Sequence, residues 1–168
     1  MFEDANRMNT ASGFEAMISD LKSHNLDTVI FTNSNNTSHL PILEVSDRLA
    51  FNVIWGGPMH ELWDNWFNNS ITSTPQNAEN IIGPLVDQLK NHPSIKGYNL
   101  LDDTTLSKAE KLRLAIDVYK SHDPNNQATA VFVGGGNEKA FTTSGAQRFL
   151  TYYYPAKAYK NSCDWNFI

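Results

Sequence analysis

Two adjacent carboxylates, Asp102 and Asp103, close an apolar stretch running from Ile95 through Tyr98, Leu100 and Leu101, and that stretch follows a His92-Pro93-Ser94 connection. The run reads as a buried strand delivering an acidic pair to its C-terminal end. In α/β sheets, that is the end where active sites are built, so acid/base chemistry is the first reading. A plain strand-end turn, with the carboxylates capping the backbone that follows, is the alternative use of Asp at such a position. Magnesium binding in phosphoryl transfer is a third, but no phosphate-cradling loop accompanies the pair. Gly134-Gly135-Gly136 matches neither dinucleotide nor Walker spacing and reads as a βα turn. A second group of chemically capable residues, Trp55, His60, Trp63 and Trp66, lies at and after another strand end. Aromatic faces stack on flat ligands. Trp55, which ends a strand, is the expected ligand contact, whereas Trp66 sits at helical spacing with Leu62, Trp63 and Phe67 and is expected in the core. Asn33 and Tyr154 end two further strands and complete the candidate set. No two of the five histidines have metal-ligand spacing on one element, and His24, His92 and His122 fall at helix C-termini, where a cation suits the macrodipole. No metal and no cofactor is expected, and no Ser-His-Asp or Cys-His arrangement stands out.

The 168 residues, 40% of them hydrophobic, are enough for one domain with a real core. A net charge of −5 without a Lys/Arg cluster argues against nucleic acid as a partner. The single cysteine, Cys163, can form neither an internal disulfide nor a cysteine-ligated metal site. Met1 to Ser12 is polar and acidic, unlike a secretory signal, and no run approaches the ~20 apolar residues of a membrane span. Abundant asparagine and 11% aromatic residues suit neutral, hydroxylated ligands. The acceptor-type matches at Asn35, Asn36 and Asn68 are expected by chance at that asparagine content.

Periodicity supplies the elements that must position these residues. Phe14, Met17, Ile18 and Leu21 predict a helix over Gly13 to His24. Asp27 to Thr32 is a β-branched and almost continuously apolar run, as in a strand covered on both faces. A short helix over Leu40 to Arg48 and a strand over Leu49 to Trp55 repeat the unit. Pro75 to Lys90 is a helix on Ile81, Ile82, Leu85, Val86 and Leu89. Ser107 with Glu110 forms a capping-box signal for a helix to about Ser121. Thr129 to Val133 is the next strand, and a short helix near Ser144 to Gln147 precedes a fifth strand over Arg148 to Tyr154. Five apolar strands alternating with helices predict an α/β protein with a parallel sheet, either part of a TIM-type (β/α) barrel or an open doubly wound sheet.

The segment His92 to Asp103 resembles the fourth-strand segment of clan A glycoside hydrolase barrels. In those families a helix leads through a His-Pro turn into a Gly-Tyr strand ending in Asp-Glu-Pro or Asn-Glu, with the Glu as general acid/base. The helix on Leu112 to Tyr119, the His122-Asp123-Pro124-Asn125 connection and the strand from Thr129 follow in the same order. The resemblance covers roughly Gly13 to Lys157, as strands two to six of eight. It implies hydrolysis of a glycosidic bond in an oligo- or polysaccharide, with Asp103 as acid/base, Asp102 in support, and Asn33, Trp55, His60 and Tyr154 lining the sugar subsite. Asp103 stands where the family has Glu, Thr104 where it has Pro, and no residue matches the nucleophile of the seventh strand. Five strands cannot close a barrel of eight. The chain is therefore expected to be a single α/β domain, a fragment of a larger barrel preceded by the polar segment 1–12, with self-association through its open sheet edges as a corollary. An inactive carbohydrate-binding or interaction module and an open-sheet domain unrelated to sugars are the competing readings. Relatives are commonly exported, and this N-terminus carries no address, so localisation stays open.

Overall fold

A computed structural model of the chain describes residues 2–4, 11–32, 40–56, 66, 73–102, 104–132 and 137–151. Within them, six strands alternate with helices: β1 (Phe2–Asp4), α1 (Ala11–Ser23), β2 (Thr28–Thr32), α2 (Leu40–Arg48), β3 (Asn52–Trp55), α3 (Pro75–Leu89), β4 (Ile95–Asn99), α4 (Leu106–His122), β5 (Gln127–Phe132), α5 (Asn137–Ser144) and β6 (Phe149–Thr151). The strands form one sheet in the order β1-β2-β3-β4-β5-β6, and every neighbouring pair is parallel. A doubly wound sheet reverses its direction of winding at a switch point, and this order has no reversal. The doubly wound alternative is thereby set aside. With right-handed crossovers, an order that never reverses puts each helix on the same face of the sheet, as in a (β/α) barrel.

The structure also adds a strand. Phe2–Asp4 lies inside the polar segment 1–12 expected to precede the domain, and it pairs with β2 through Phe2↔Ile30 and Asp4↔Thr32. Three residues with one apolar side chain carry no alternation signal, so this strand owes its existence to the β2 edge. The last helix lies at Asn137–Ser144, earlier than the Ser144 to Gln147 predicted from sequence, and ends at Gly145, whose φ of +67° suits a residue without Cβ.

The helix-facing side of the sheet holds the core. Val53, Trp55, Tyr98, Leu100, Ala128, Ala130 and Phe132 join Phe14, Ile18, Leu21, Ile82, Val86, Leu112, Ile116 and Tyr119 from the helices in one buried cluster. Spacing explains the helical partners: Phe14, Ile18 and Leu21 lie at i, i+4 and i+7, and Ala78, Ile82, Val86 and Leu89 mark one stripe of α3. Thr74 caps α3 by accepting from the Asn77 N–H, and Pro75 occupies the first turn, where its missing donor costs nothing. On the opposite face, Ile54, Gly97 and Gln127 share one row, followed by Asn99 and Thr129. Gly97 is needed there. A Cβ at this position would lie 3.0 Å from the Gln127 carbonyl oxygen and force β5 away from β4.

The first two helix-to-strand turns use one geometry. Leu26 N–H donates to Leu21 O across Asn25, and Phe51 N–H donates to Ser46 O across Ala50, each bridging residue having positive φ, +60° and +49°. Asparagine tolerates the left-handed region; alanine carries the full Cβ penalty of ~1–2 kcal/mol. Ala50→Gly is expected to stabilise the protein by about 1 kcal/mol, after the greater unfolded-state entropy of glycine is subtracted. A urea midpoint that rises at constant m would show it, and an unchanged or lower midpoint would count against strain at Ala50.

At the N-terminal ends of the strands, His92 fixes the turn into β4. Its Nδ1 lies 2.6 Å from Asp47 Oδ2, and the Ser94 N–H donates to Asp47 Oδ1 at 2.9 Å. Burial acts to raise the Asp47 carboxyl, but hydrogen bonds from Ser94 and His92 outweigh it and hold the group below its ordinary range. His92 thus ties α2 to β4 through a side-chain pair, a stronger role than the macrodipole contact expected from its position. It works at the end of the sheet opposite the candidate site.

Candidate functional site

The C-terminal end of β4 is built around an irregularity. The Leu100 N–H donates to Thr129 O, the Val131 N–H to Leu101 O, and the Thr104 N–H to Val131 O. Counted from the first of these bonds, a regular parallel ladder would bring the Val131 N–H to Leu100 O and return to Val131 O from residue 102. From Asn99, in register with Thr129, to Thr104, bridged to Phe132, the chain takes five steps where β5 takes three, so it carries two residues more than the ladder accommodates, a β-bulge between Leu100 and Thr104. Bulges re-aim side chains and recur beside active sites. Asp102 lies in a bend and is exposed. Asp103 lies outside the described residues.

Pairing resumes at Thr104, bridged to Phe132 and fully buried on the core side, its Oγ1 without a hydrogen-bond partner. A buried hydroxyl left unpaired is a cost. The helix then begins at once. Thr105 is the N-cap of α4, with Leu106 its first residue, so the cap predicted at Ser107 is corrected by two positions. Thr105 Oγ1 and Ser107 Oγ lie 2.9 Å apart and satisfy each other instead of the helix backbone.

Trp55 does not meet a ligand here. It ends β3 as expected, but its side chain is 0% exposed and belongs to the core cluster, in register with Tyr98, whose ring lies 4.5 Å from that of Tyr119 on α4. Register partners in a parallel sheet share a face, so Trp55 points toward the helices, and its assignment to a sugar subsite is corrected. Trp66 is buried as expected, its Nε1 donating to Lys111 O. Asn33, His60 and Tyr154 lie outside the described residues, as do Asn35, Asn36 and Asn68.

Sequence reasoning passed over Asn99. It sits on the face opposite the helices, beside Thr129, and is 5% exposed, with Oδ1 unpartnered. The neighbouring Thr129 hydroxyl is committed to Arg148 O at 2.7 Å. An orphaned buried amide oxygen is a place where a hydroxyl or water donor fits. The only signal available from sequence was a polar residue inside an otherwise apolar run. Among the described residues no group of three His, Cys, Asp or Glu side chains is placed to hold a metal, and no helix is long and apolar enough to cross a membrane.

No protein-family model and no curated protein matches the sequence. Solved structures do match the fold. The chain superposes on an endo-1,4-beta-mannanase from Eisenia fetida with a TM-score of 0.62 at 10% identity, covering 90% of this chain and 64% of that one. A structure from a study of two plant beta-glucan endohydrolases with distinct substrate specificities gives 0.58 at 14%, covering 87% and 53%. An endo-1,4-beta-mannanase from Rhizomucor miehei gives 0.54 at 13%, covering 77% and 54%. The chain thus shares the fold of part of these enzymes' (β/α) barrels, and it spans between about half and two thirds of the length of these three neighbours.

Proposed function

We propose that this chain is the acid/base-bearing part of a glycoside hydrolase-type barrel, and that it acts on or binds a β-linked polysaccharide of the mannan or β-glucan type. One observation carries the reading: the sheet whose winding matches glycosidase barrels is interrupted by a bulge at the end of β4, where those barrels place their acid/base. In the proposed reaction, Asp103 donates a proton to the glycosidic oxygen as the bond to the anomeric carbon breaks; that carbon is taken either by a carboxylate nucleophile, later displaced by a water that Asp103 deprotonates, or directly by a water whose proton goes to the second carboxylate. The second carboxylate, nucleophile or base, comes from whatever completes the barrel beyond β1 and β6. Retention needs the two carboxyl groups ~5–5.5 Å apart and inversion ~6.5–9.5 Å. Asp102 supports Asp103 from the bend, Asn99 offers its amide oxygen to a bound hydroxyl or an ordered water, and Asn33, His60 and Tyr154 supply further polar contacts.

The shortened acid favours a second reading, carbohydrate binding without turnover. Asp103 is one methylene short of the family Glu, and Thr104 lacks the fixed φ of the family Pro. Asp103→Glu separates the two. Turnover of aryl β-mannosides or β-glucosides that appears or rises in the variant supports a degraded hydrolase. Retained binding of mannan or β-glucan oligosaccharides by calorimetry, with no turnover in either form, supports a binding module. Neither binding nor turnover in parent and variant would sink both.

A further inference from the structure

Away from the strand ends, α3 and α4 are joined by a charged group built around His122, the last residue of α4. Its Nε2 lies 2.7 Å from Glu79 Oε1 and its Nδ1 3.0 Å from Asp87 Oδ1, both on α3. Glu79, Gly83 and Asp87 recur every fourth residue and form one stripe, with the carboxylates at its ends and the glycine between. A Cβ on Gly83 would sit 2.9 Å from the imidazole Cε1 and Nε2. The glycine makes the seat in which the ring lies. An ionised carboxylate only accepts hydrogen bonds, and a neutral imidazole has one N–H. Both contacts are made together only when the ring is the imidazolium.

We propose that His122 is a proton-operated latch between α3 and α4, closed while the imidazole carries both protons and half released when it loses one. The surrounding charges support this. Hydrogen bonds to Asp87 and then Glu79 raise the imidazole above its ordinary value, opposed by the smaller effect of burial. Asp87 is lowered, first by its bond to Lys90 and then by that to His122, so it remains an acceptor. Among the other charged groups near this end of α4, Lys120 is committed to Gly145 O beside α5, and Asp123 accepts from Tyr98 of β4 and from Asn126. Because the folded value is raised, the stabilisation is complete below the unfolded pKa of ~6.5 and is lost as pH rises through the folded value. The latch lies one residue from Asp123, whose carboxylate ties the helix layer to β4, so its release loosens the support behind the strand that leads to Asp102.

The test uses the whole chain. An NMR titration of the His122 ring should give a midpoint above that of an exposed histidine, and Glu79→Gln with Asp87→Asn should return it to the ordinary value. Between pH 6 and pH 9, the melting temperature of the parent should fall by about 2–4 °C more than that of His122→Gln. An ordinary midpoint in the parent overturns the proposal, and so does the same pH dependence of melting in parent and variant. If His122→Gln does not fold, the ring titration in the parent and in the carboxylate variant decides alone.

Discussion

Replacing Trp55 with alanine is expected to destabilise the protein by about 3–5 kcal/mol, the range for removing a large aromatic side chain from a packed core. Trp55 is fully buried on the helix-facing side of β3, beside Tyr98 and within the cluster that includes Tyr119 of α4. Its removal leaves a cavity that neighbours fixed in strands cannot collapse to fill. Trp55→Phe should cost much less, since most of the apolar volume remains. The urea midpoint of each variant, with m unchanged, measures both. A side chain serving as a platform for sugar rings would behave the other way: stability within about 0.5 kcal/mol of the parent, as for ordinary surface substitutions, and binding lost. That pattern would show that Trp55 faces a ligand cleft and would overturn its placement in the core.

The reason Trp55 misled sequence reading is physical. Asn52-Val53-Ile54-Trp55 has apolar residues on both alternating sets, so a strand end is legible and the direction of its last side chain is not. Strands β2 to β5 were legible as short, mainly apolar stretches between helical patterns and turn residues; β1 was not, because Phe2-Glu3-Asp4 becomes a strand only by pairing with β2. Strand order is invisible to periodicity, although a single winding direction is what separates the barrel-type sheet from the doubly wound one. The bulge after Leu100 was equally hidden, since it exists only in the bonds of Leu100, Leu101 and Thr104 with Thr129 and Val131. The early cap of α4 follows from the same bonds: pairing with β5 persists to Thr104, and the helix starts immediately beyond it. His122 reads in sequence as a cation at a helix end, while its partners Glu79 and Asp87 are 43 and 35 residues away. The resemblance to glycosidase barrels was carried by short motifs around His92, Gly97 and Asp103. Two of these now have structural causes, the Asp47 pair for His92 and the approach of β5 for Gly97.

Tyr98→Phe should cost about 1.5–3 kcal/mol at neutral pH, and that cost should shrink as the solution becomes strongly alkaline. The Tyr98 hydroxyl is the buried link between β4 and the end of α4: it donates to Asp123 Oδ2 at 2.6 Å, and Asp123 is itself only 3% exposed. Removing the hydroxyl leaves that carboxylate with Asn126 Nδ2, 2.9 Å away, and strips a charge-assisted bond of the magnitude stated. The pH dependence has its own origin. Burial first, then the hydrogen bond and charge of Asp123, push the Tyr98 phenol well above its ordinary value, and burial does the same for Tyr119. Above pH ~10 the unfolded chain releases these protons while the folded chain keeps them, so folding binds more protons and stability falls by about 1.4 kcal/mol per pH unit for each tyrosine. The phenylalanine variant lacks one of the two contributions, so its stability falls less steeply and the gap to the parent closes. Urea unfolding at pH 8, 10 and 11 tests both parts. A gap that stays constant across that range would mean that Tyr98 ionises in the folded protein as easily as in the unfolded chain, which its bond to a buried carboxylate forbids.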